Sequence, residues 1–253
     1  MNTLPSLRLL GVLGGMSWES SAHLYALLNR EVAARLGGLH SARLLMHSVD
    51  FATIERCQRT DDWAAAARLL TEAAAGLKAG GAEALLLATN TMHRVAEQIE
   101  AESGLSLLHI VDATAAALRA RGFSRVGLLA TGYTMAAGSF YHQRMQRHGI
   151  ELLTPSADDR AEVHRIIYEE LCRGQVLPAS RQRYQAIVAA LAAEGAQAAI
   201  LGCTEIGLLL DASAQASSPI PLFDSTVLQA QAAVEWMLSP SPDSHRPGGT
   251  TTT

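Results

Sequence analysis

Lysine is almost missing from this chain of 253 residues, in which Lys78 is the single lysine among 20 basic residues. A mechanism that forms a Schiff base with a lysine would have to use this residue. Lys78 falls in the last turn of a predicted helix, before Gly80 and Gly81, where it is expected to face solvent. The sequence therefore disfavours pyridoxal phosphate chemistry, and we expect no cofactor.

Cysteines and long apolar runs are also scarce. Three cysteines are too few for a disulfide framework and fit a reducing cytoplasm. A membrane helix needs ~20 apolar residues, and no apolar run here approaches that length. No targeting signal is recognisable. The net charge of −4 disfavours nucleic acids and anionic membranes as partners. We expect a cytoplasmic protein.

Several motifs that carry chemistry are absent from the sequence. The nine histidines show no HExxH spacing, and neither CxxC nor GxSxG occurs. These absences disfavour a metal site and a serine nucleophile elbow. The first glycine turn places its glycines at positions 11, 14 and 15, which is not the GxGxxG of dinucleotide-binding proteins.

Short apolar runs alternate with long segments rich in Ala, Arg and Glu, a pattern typical of parallel sheets covered by helices. Three motifs recur in order: GVLGGMSWES with GLLATGYTMA, ALLLATNTMH with AAILGCTEIG, and LLHIVDAT with IPLFDST. We predict an α/β fold of two pseudo-symmetric domains with mainly parallel sheets and a cleft between them. Residues 1–112 with 221–238 form the first half, residues 113–220 the second, and residues 239–253 a disordered tail.

The polar ends of the repeated strands are the candidate functional residues, because ligands bind beyond the carboxyl ends of parallel strands. Cys203 ends one strand before a predicted helix, whose N-terminus would lower the pKa of its thiol. The segment from Thr89 to His93 ends the matching strand. Two facing side chains could remove and supply a proton on opposite sides of one carbon. Alternatively, Cys203 is a buried apolar residue and the threonines cap helices. Cys57 and Cys172 fit a structural role better.

At these residues the sequence resembles the aspartate/glutamate racemase superfamily. The resemblance rests on LGGMSWES, RLGGLHSA, HSVDF, TNTMH and GCTEIGLL and extends over about residues 8–238. It is strongest to the branch of L-aspartate/glutamate-specific and broad-specificity amino-acid racemases. It implies a racemase that needs no cofactor or metal, interconverts L- and D-amino acids between two α/β domains, and assembles as a homodimer.

The resemblance implies that Thr89 and Cys203 are the catalytic pair, although most members carry cysteine at both positions. Because a hydroxyl is a far weaker acid than a thiol, we predict an asymmetric site. Cys203 removes the Cα proton, Thr89 returns one on the other face with His93 as a candidate relay, and the L-enantiomer is the better substrate. Further residues are expected to bind the substrate amino acid: Met16, Ser17, Gln58, Asn90, Thr91, Thr131, Tyr133, Thr134, Thr204 and Glu205.

The predicted substrate side chain is less well defined. Members that act on aspartate hold its distal carboxylate with an Arg and a Lys. No Arg lies around residues 49–51, and Cys172 stands where the Lys is expected. Arg56 and Gln58 compensate in part, and neutral polar amino acids are plausible substrates. Two other readings remain open: a lyase resembling arylmalonate decarboxylases, which keep only the second cysteine, and a non-catalytic amino-acid-binding protein.

Overall fold

A computed structural model describes residues 7–240 of the chain. The first of its two sheets has the strand order β2-β1-β3, with β1 at Leu10–Gly14, β2 at Leu44–Ser48 and β3 at Ala84–Leu87. Both neighbours run parallel to β1. All five residues of β1 are buried, so helices cover both faces of this central strand.

The second sheet has the order β5-β4-β6-β7 and is also parallel throughout. Its strands are β4 at Arg125–Ala130, β5 at Glu151–Leu153, β6 at Ala198–Gly202 and β7 at Leu222–Asp224. The order β5-β4-β6 repeats the order β2-β1-β3 of the first sheet. The predicted α/β fold with two parallel sheets is confirmed.

Helices connect the strands and pack on both sheets. In chain order the α-helices are α1 Trp18–Leu36, α2 Phe51–Arg59, α3 Trp63–Ala79, α4 Ala96–Ser103, α5 Ile110–Ala120, α6 Gly132–Met135, α7 Phe140–Arg147, α8 Ala157–Glu169, α9 Pro178–Ala193, α10 Ile206–Leu209, α11 Ala212–Ala216 and α12 Ser225–Leu238. Two 3₁₀ turns lie at Thr91–Val95 and Leu171–Arg173. No helix among residues 7–240 is both long and apolar enough to cross a membrane.

Two glycines at equivalent positions of the repeat leave room for neighbouring segments to pack closely on the sheets. A Cβ atom on Gly11 in β1 would lie 2.9 Å from Cβ of Ala82. A Cβ atom on Gly127 in β4 would lie 2.9 Å from Cδ1 of Leu191. Both contacts are closer than packed carbon atoms allow, so Gly11 makes room for the turn before β3 and Gly127 for helix α9.

The chain between the two sheets departs from one sequence-based expectation. A strand predicted over residues 107–110 is reduced to a single parallel bridge between Leu107 and Leu85. Helix α5 begins at Ile110, because the His109 side chain accepts a hydrogen bond from the backbone N–H of Val111 and caps the helix. This cap ends the strand early.

The segment at the end of the chain contacts both sheets. Strand β7 pairs with β6 of the second sheet, whereas α12 contributes Ala230, Val234 and Met237 to the same apolar cluster as β1 and α1. The predicted boundary at residue 221 therefore separates β7 from the sheet in which it pairs, and the division into halves stays a prediction. The predicted tail, residues 239–253, lies outside the described residues from position 241 onward.

Candidate active site

The carboxyl ends of β1, β3, β4 and β6 surround one small pocket. Thr89 lies two residues beyond β3, and Cys203 directly follows β6. Nine residues singled out in the sequence line this pocket: Met16, Gln58, Thr89, Asn90, Thr91, Thr131, Cys203, Thr204 and Glu205. Its free volume is about 20 Å³, which is room for about one water molecule. Thr89 and Cys203 thus face a common space from the two sheets.

The Glu205 carboxylate is the centre of the hydrogen bonds in the pocket. Its Oε1 atom accepts from Ser17 Oγ at 2.7 Å and from Cys172 Sγ at 3.6 Å. Its Oε2 atom accepts from Cys203 Sγ at 3.0 Å and from Thr204 Oγ1 at 2.7 Å. Glu205 is only 2% exposed, and no Lys or Arg side chain bonds to it among residues 7–240. Hydroxyls and thiols therefore hold this buried charge in place.

The thiol of Cys203 has a raised pKa, in contrast to the lowered value predicted from a helix N-terminus. Burial raises the pKa well above its ordinary value, and the neighbouring Glu205 carboxylate raises it further. Helix α10 begins three residues later and is four residues long. The thiol is therefore protonated at neutral pH, and the carboxylate 3.0 Å away is positioned to accept its proton.

Thr89 presents a hydroxyl that forms no side-chain hydrogen bond within residues 7–240, although the residue is only 7% exposed. Its backbone carbonyl is occupied, because it accepts a hydrogen bond from His93 Nδ1 at 2.8 Å. None of the described residues is hydrogen-bonded to this hydroxyl as a base that could deprotonate it. The two catalytic candidates thus differ in surroundings as well as in chemistry.

Three threonines of the predicted site form a cluster across the two sheets. Thr91 Oγ1 lies 3.0 Å from Thr131 Oγ1, which in turn lies 3.2 Å from Thr134 Oγ1. Tyr133, by contrast, does not line the pocket and packs edge-on against Trp63, with ring centroids 5.6 Å apart. Thr134 reaches the pocket only through its two threonine neighbours.

The orientation of the Asn90 side chain follows from its partner. Ser225 Oγ donates its only hydrogen to the carbonyl of Leu201 at 2.8 Å. It must therefore accept from Asn90 Nδ2, which lies 3.1 Å away. The Asn90 Oδ1 atom is buried and has no partner among the described residues. Asn90, which lines the pocket, thus retains one buried acceptor without a partner among the described residues.

Sequence reasoning missed five residues of the pocket lining: Phe51, Ile167, Tyr168, Cys172 and Gly202. Tyr168 on α8 donates to Gln58 Oε1 on α2 at 2.8 Å, across 110 positions of sequence. Cys172, expected to be structural, lines the pocket and bonds to Glu205. Cys57 is buried in the core of the first sheet as expected. No local pattern signals contacts made from such distant helices.

His93 lies outside this pocket, and both of its ring nitrogens are engaged by the backbone. Nδ1 donates to the Thr89 carbonyl, and Nε2 accepts from the N–H of Ile110 at 3.2 Å. Burial lowers its pKa to about 4, so the ring is neutral. The geometry does not support the predicted relay, since neither nitrogen is free to carry a proton to Thr89. His93 instead fixes the backbone at Thr89.

A neutral buried His93 predicts a loss of stability in acid. Its pKa of about 4 in the folded state lies below the ordinary 6.5 of an unfolded chain. The unfolded state therefore binds more protons between these values, and stability falls as the pH falls through that window. From pH 7.5 to pH 5 we expect this ring to remove about 2 kcal/mol from the free energy of unfolding, measured with urea. His93→Gln should reduce this pH dependence, whereas His47→Gln, at an exposed position, should leave it intact. An unchanged dependence in His93→Gln would contradict the neutral ring.

Within residues 7–240, no three His, Cys, Asp or Glu side chains are grouped so that they could hold a metal ion.

The chain is similar to known racemases in sequence and in fold. The profile of the family described as "Asp/Glu/Hydantoin racemase" matches residues 13–233. A candidate Asp/Glu racemase from Yersinia pestis is 49% identical with a TM-score of 0.83, and the match covers 92% of this chain and 100% of that one. An aspartate racemase homologue from Pyrococcus horikoshii is 27% identical with a TM-score of 0.76 over the same shares. A glutamate racemase from Francisella tularensis, solved with D-glutamate, shares the fold at 14% identity and a TM-score of 0.64, over 92% of this chain and 81% of that one.

Proposed function

Because the chain belongs to the Asp/Glu/hydantoin racemase family, we propose that it is an amino-acid racemase that works without pyridoxal phosphate, with Thr89 and Cys203 on opposite faces of Cα. The observation that carries this proposal is that both side chains line one pocket from the ends of two different sheets. Racemisation needs one group to remove a proton and another to supply one on the opposite face. The three free cysteines support a cytoplasmic location.

Cys203 is the member of the pair that can be deprotonated in the site, because the Glu205 carboxylate accepts a hydrogen bond from its thiol. The thiol donates to Glu205 Oε2 at 3.0 Å in the resting site. Transfer of this proton produces the thiolate, which then removes the Cα proton of the L-enantiomer. The four hydrogen bonds to Glu205 come from exchangeable O–H and S–H groups. The abstracted proton can therefore mix with protons on these groups before it returns.

Thr89 supplies the proton on the other face of Cα, and this proton transfer limits the rate of inversion. None of the described residues is hydrogen-bonded to its hydroxyl as a base, and His93 is bound at both nitrogens by the backbone. We propose that water, rather than His93, restores the Thr89 proton, and that the hydroxide left behind takes the proton held by Glu205, which returns the site to its resting state. Because the equilibrium constant between enantiomers is one, kcat/KM must be equal in both directions. The asymmetry of the site is therefore expected in a different comparison. The Cα proton of the L-enantiomer should exchange with solvent faster than the L-enantiomer is inverted.

Asn90, expected from the sequence to bind the substrate, is suited to its α-ammonium group. One N–H of its amide donates to Ser225, and its buried Oδ1 atom has no partner among the described residues. An ammonium group supplies the donors that this atom lacks. The hydroxyls of Thr91 and Thr131 remain for the carboxylate. Entry of an amino acid into a pocket of about 20 Å³ requires the two sheets to separate, which breaks the bond between Ser17 and Glu205.

The pocket lining favours neutral polar substrates over acidic ones. None of the described lining residues is Lys or Arg, and Glu205 is the one charged side chain among them. A distal carboxylate would enter without a cation and beside an existing negative charge, which is unfavourable in a buried site. Gln58, held by Tyr168, offers hydrogen bonds suited to an amide or hydroxyl.

A panel of L- and D-amino acids, followed by NMR for Cα deuteration and inversion in D2O, tests both the activity and this preference. We expect kcat/KM for asparagine and glutamine to equal or exceed the values for aspartate and glutamate. Cys172→Lys should shift the ratio toward the acidic substrates by about tenfold, the value of one charge-assisted hydrogen bond. Cys172→Met is the uncharged control of similar length and should produce no such shift. No exchange with any amino acid would reject the racemase, and a strong preference of the unmodified enzyme for aspartate would reject the substrate class.

A further inference from the structure

A second cavity, of about 220 Å³, shares no lining residue with the pocket that contains Thr89 and Cys203. One wall of the cavity is formed by residues 93–109, which include α4 and end just before α5, and the other wall is formed by α7. The lining residues are His93, Arg94, Glu97, His109, Phe140, Gln143, Arg144 and Arg147. Three arginines and one glutamate thus border this cavity, in a chain whose overall net charge is −4.

Arg144 is held in a fixed position at the cavity. Its Nε and Nη2 atoms donate to the two oxygens of Asp112 at 2.7 and 2.6 Å. Burial alone would raise the pKa of Asp112, but hydrogen bonds from Arg144 and His148 lower it to about 2. The carboxylate therefore stays charged and keeps the guanidinium oriented. The Nη1 group forms no hydrogen bond within residues 7–240 and is available to a ligand.

The other two arginines have weak partners. Arg147 lies 4.0 Å from Glu97, and Arg94 lies 3.9 Å from Asp61. At these distances, and with exposed side chains, such pairs contribute little. Arg94 is also stacked over the ring of Trp63, 4.1 Å from its centroid. Stacking fixes the plane of the guanidinium while its N–H groups remain largely unused.

His109 adds a neutral donor at the buried end of the cavity. Its Nδ1 atom accepts from the N–H of Val111 at 3.2 Å, so the hydrogen of the neutral ring is on Nε2. Burial, together with nearby His93 and Arg144, lowers its pKa to about 2. The ring is therefore a hydrogen-bond donor without a charge, 8% exposed.

We propose that this cavity binds a small polyanion with carboxylate or phosphate groups. Arginine forks match the geometry of both groups, and their arrangement on two sides of the cavity suits a ligand with more than one acidic group. The bound anion joins the α4 segment to α7. His93 borders the cavity and bonds to the Thr89 carbonyl, which places the ligand next to the segment that carries Thr89. The binding itself does not depend on the proposed racemase activity.

Isothermal titration with inorganic phosphate and with citrate, at pH 7.5 and constant ionic strength set by NaCl, tests this site. We expect saturable binding of at least one anion, and the tighter of the two identifies the ligand group. Arg147→Gln should weaken that binding by about tenfold, since one charge-assisted contact is lost. Arg119→Gln, at an exposed position on α5, is the matched control and should bind unchanged.

Imidazole resonances of the unmodified protein give a second readout that needs no variant. Addition of the bound anion should shift the ring signals of His109 and leave those of the exposed His47 in place. Absence of saturable binding by both anions would overturn the proposal. Equal weakening in Arg147→Gln and Arg119→Gln would also overturn it, because it would show general screening of charge and no defined site.

Discussion

Replacement of Cys203 by alanine should abolish both deuterium exchange at Cα and inversion, with a loss of at least about 10³-fold in each. Without the thiol, the group proposed to remove the Cα proton of the L-enantiomer is lost, and Glu205 no longer has the thiol from which it accepts a hydrogen bond in the resting site. The loss should appear in kcat and in kcat/KM alike, because the thiol acts on the reacting proton. NMR of an L-amino acid in D2O measures both rates in one sample.

Cys57→Ala is the matched control for this variant. Cys57 is also buried, but it packs in the core of the first sheet and does not line the pocket. The control should keep its activity despite the cost of a small cavity. Deuterium exchange that persists in Cys203→Ala would remove this thiol from the mechanism.

Replacement of Thr89 by alanine should separate the two reactions. Inversion should fall by at least about 10²-fold, because the proton donor of the second face is lost. Exchange of the L-enantiomer should continue, because Cys203 and Glu205 are untouched and can return a deuteron to the same face. The D-enantiomer should neither exchange nor invert, since its Cα proton faces the missing hydroxyl. Chiral chromatography after incubation in D2O, combined with NMR, distinguishes these outcomes.

Two further variants make this result specific to the hydroxyl of Thr89. Thr89→Ser keeps a hydroxyl and should retain inversion. Thr71→Ala removes a buried hydroxyl on α3 that also has no partner among the described residues, and it should change neither rate. If Thr89→Ala inverted the substrate at the rate of the unmodified enzyme, another group would be the second acid.

Much of this site could be predicted from the sequence because its residues lie at the ends of repeated strands. The strings TNTMH and GCTEI follow β3 and β6, which occupy the same place in the two sheets. Parallel strands bring their carboxyl ends to one edge, so the juxtaposition of Thr89 and Cys203 follows from the repeat. Their roles in catalysis stay predictions until the variants are tested.

Contacts between distant segments and the electrostatics of burial could not be predicted in this way. Tyr168 meets Gln58 across 110 positions, and no periodicity in either helix signals that contact. The expected lowering of the Cys203 pKa was wrong, because burial and the Glu205 carboxylate outweigh a helix of four residues. The motif TNTMH suggested that His93 is free to act as a relay. In the structure its Nε2 atom accepts from the N–H of Ile110, 17 positions away, and nothing in the motif indicates that bond.

The most direct test of the asymmetric pair is a comparison of Cα deuteration with inversion in the unmodified enzyme, for both enantiomers of one amino acid in D2O. Because Cys203 returns protons more readily than Thr89 supplies them, the L-enantiomer should gain deuterium faster than it becomes D. The D-enantiomer should gain deuterium only as fast as it becomes L. The opposite excess, with exchange of the D-enantiomer ahead of its inversion, would contradict the assignment of Cys203 and Thr89 to their faces.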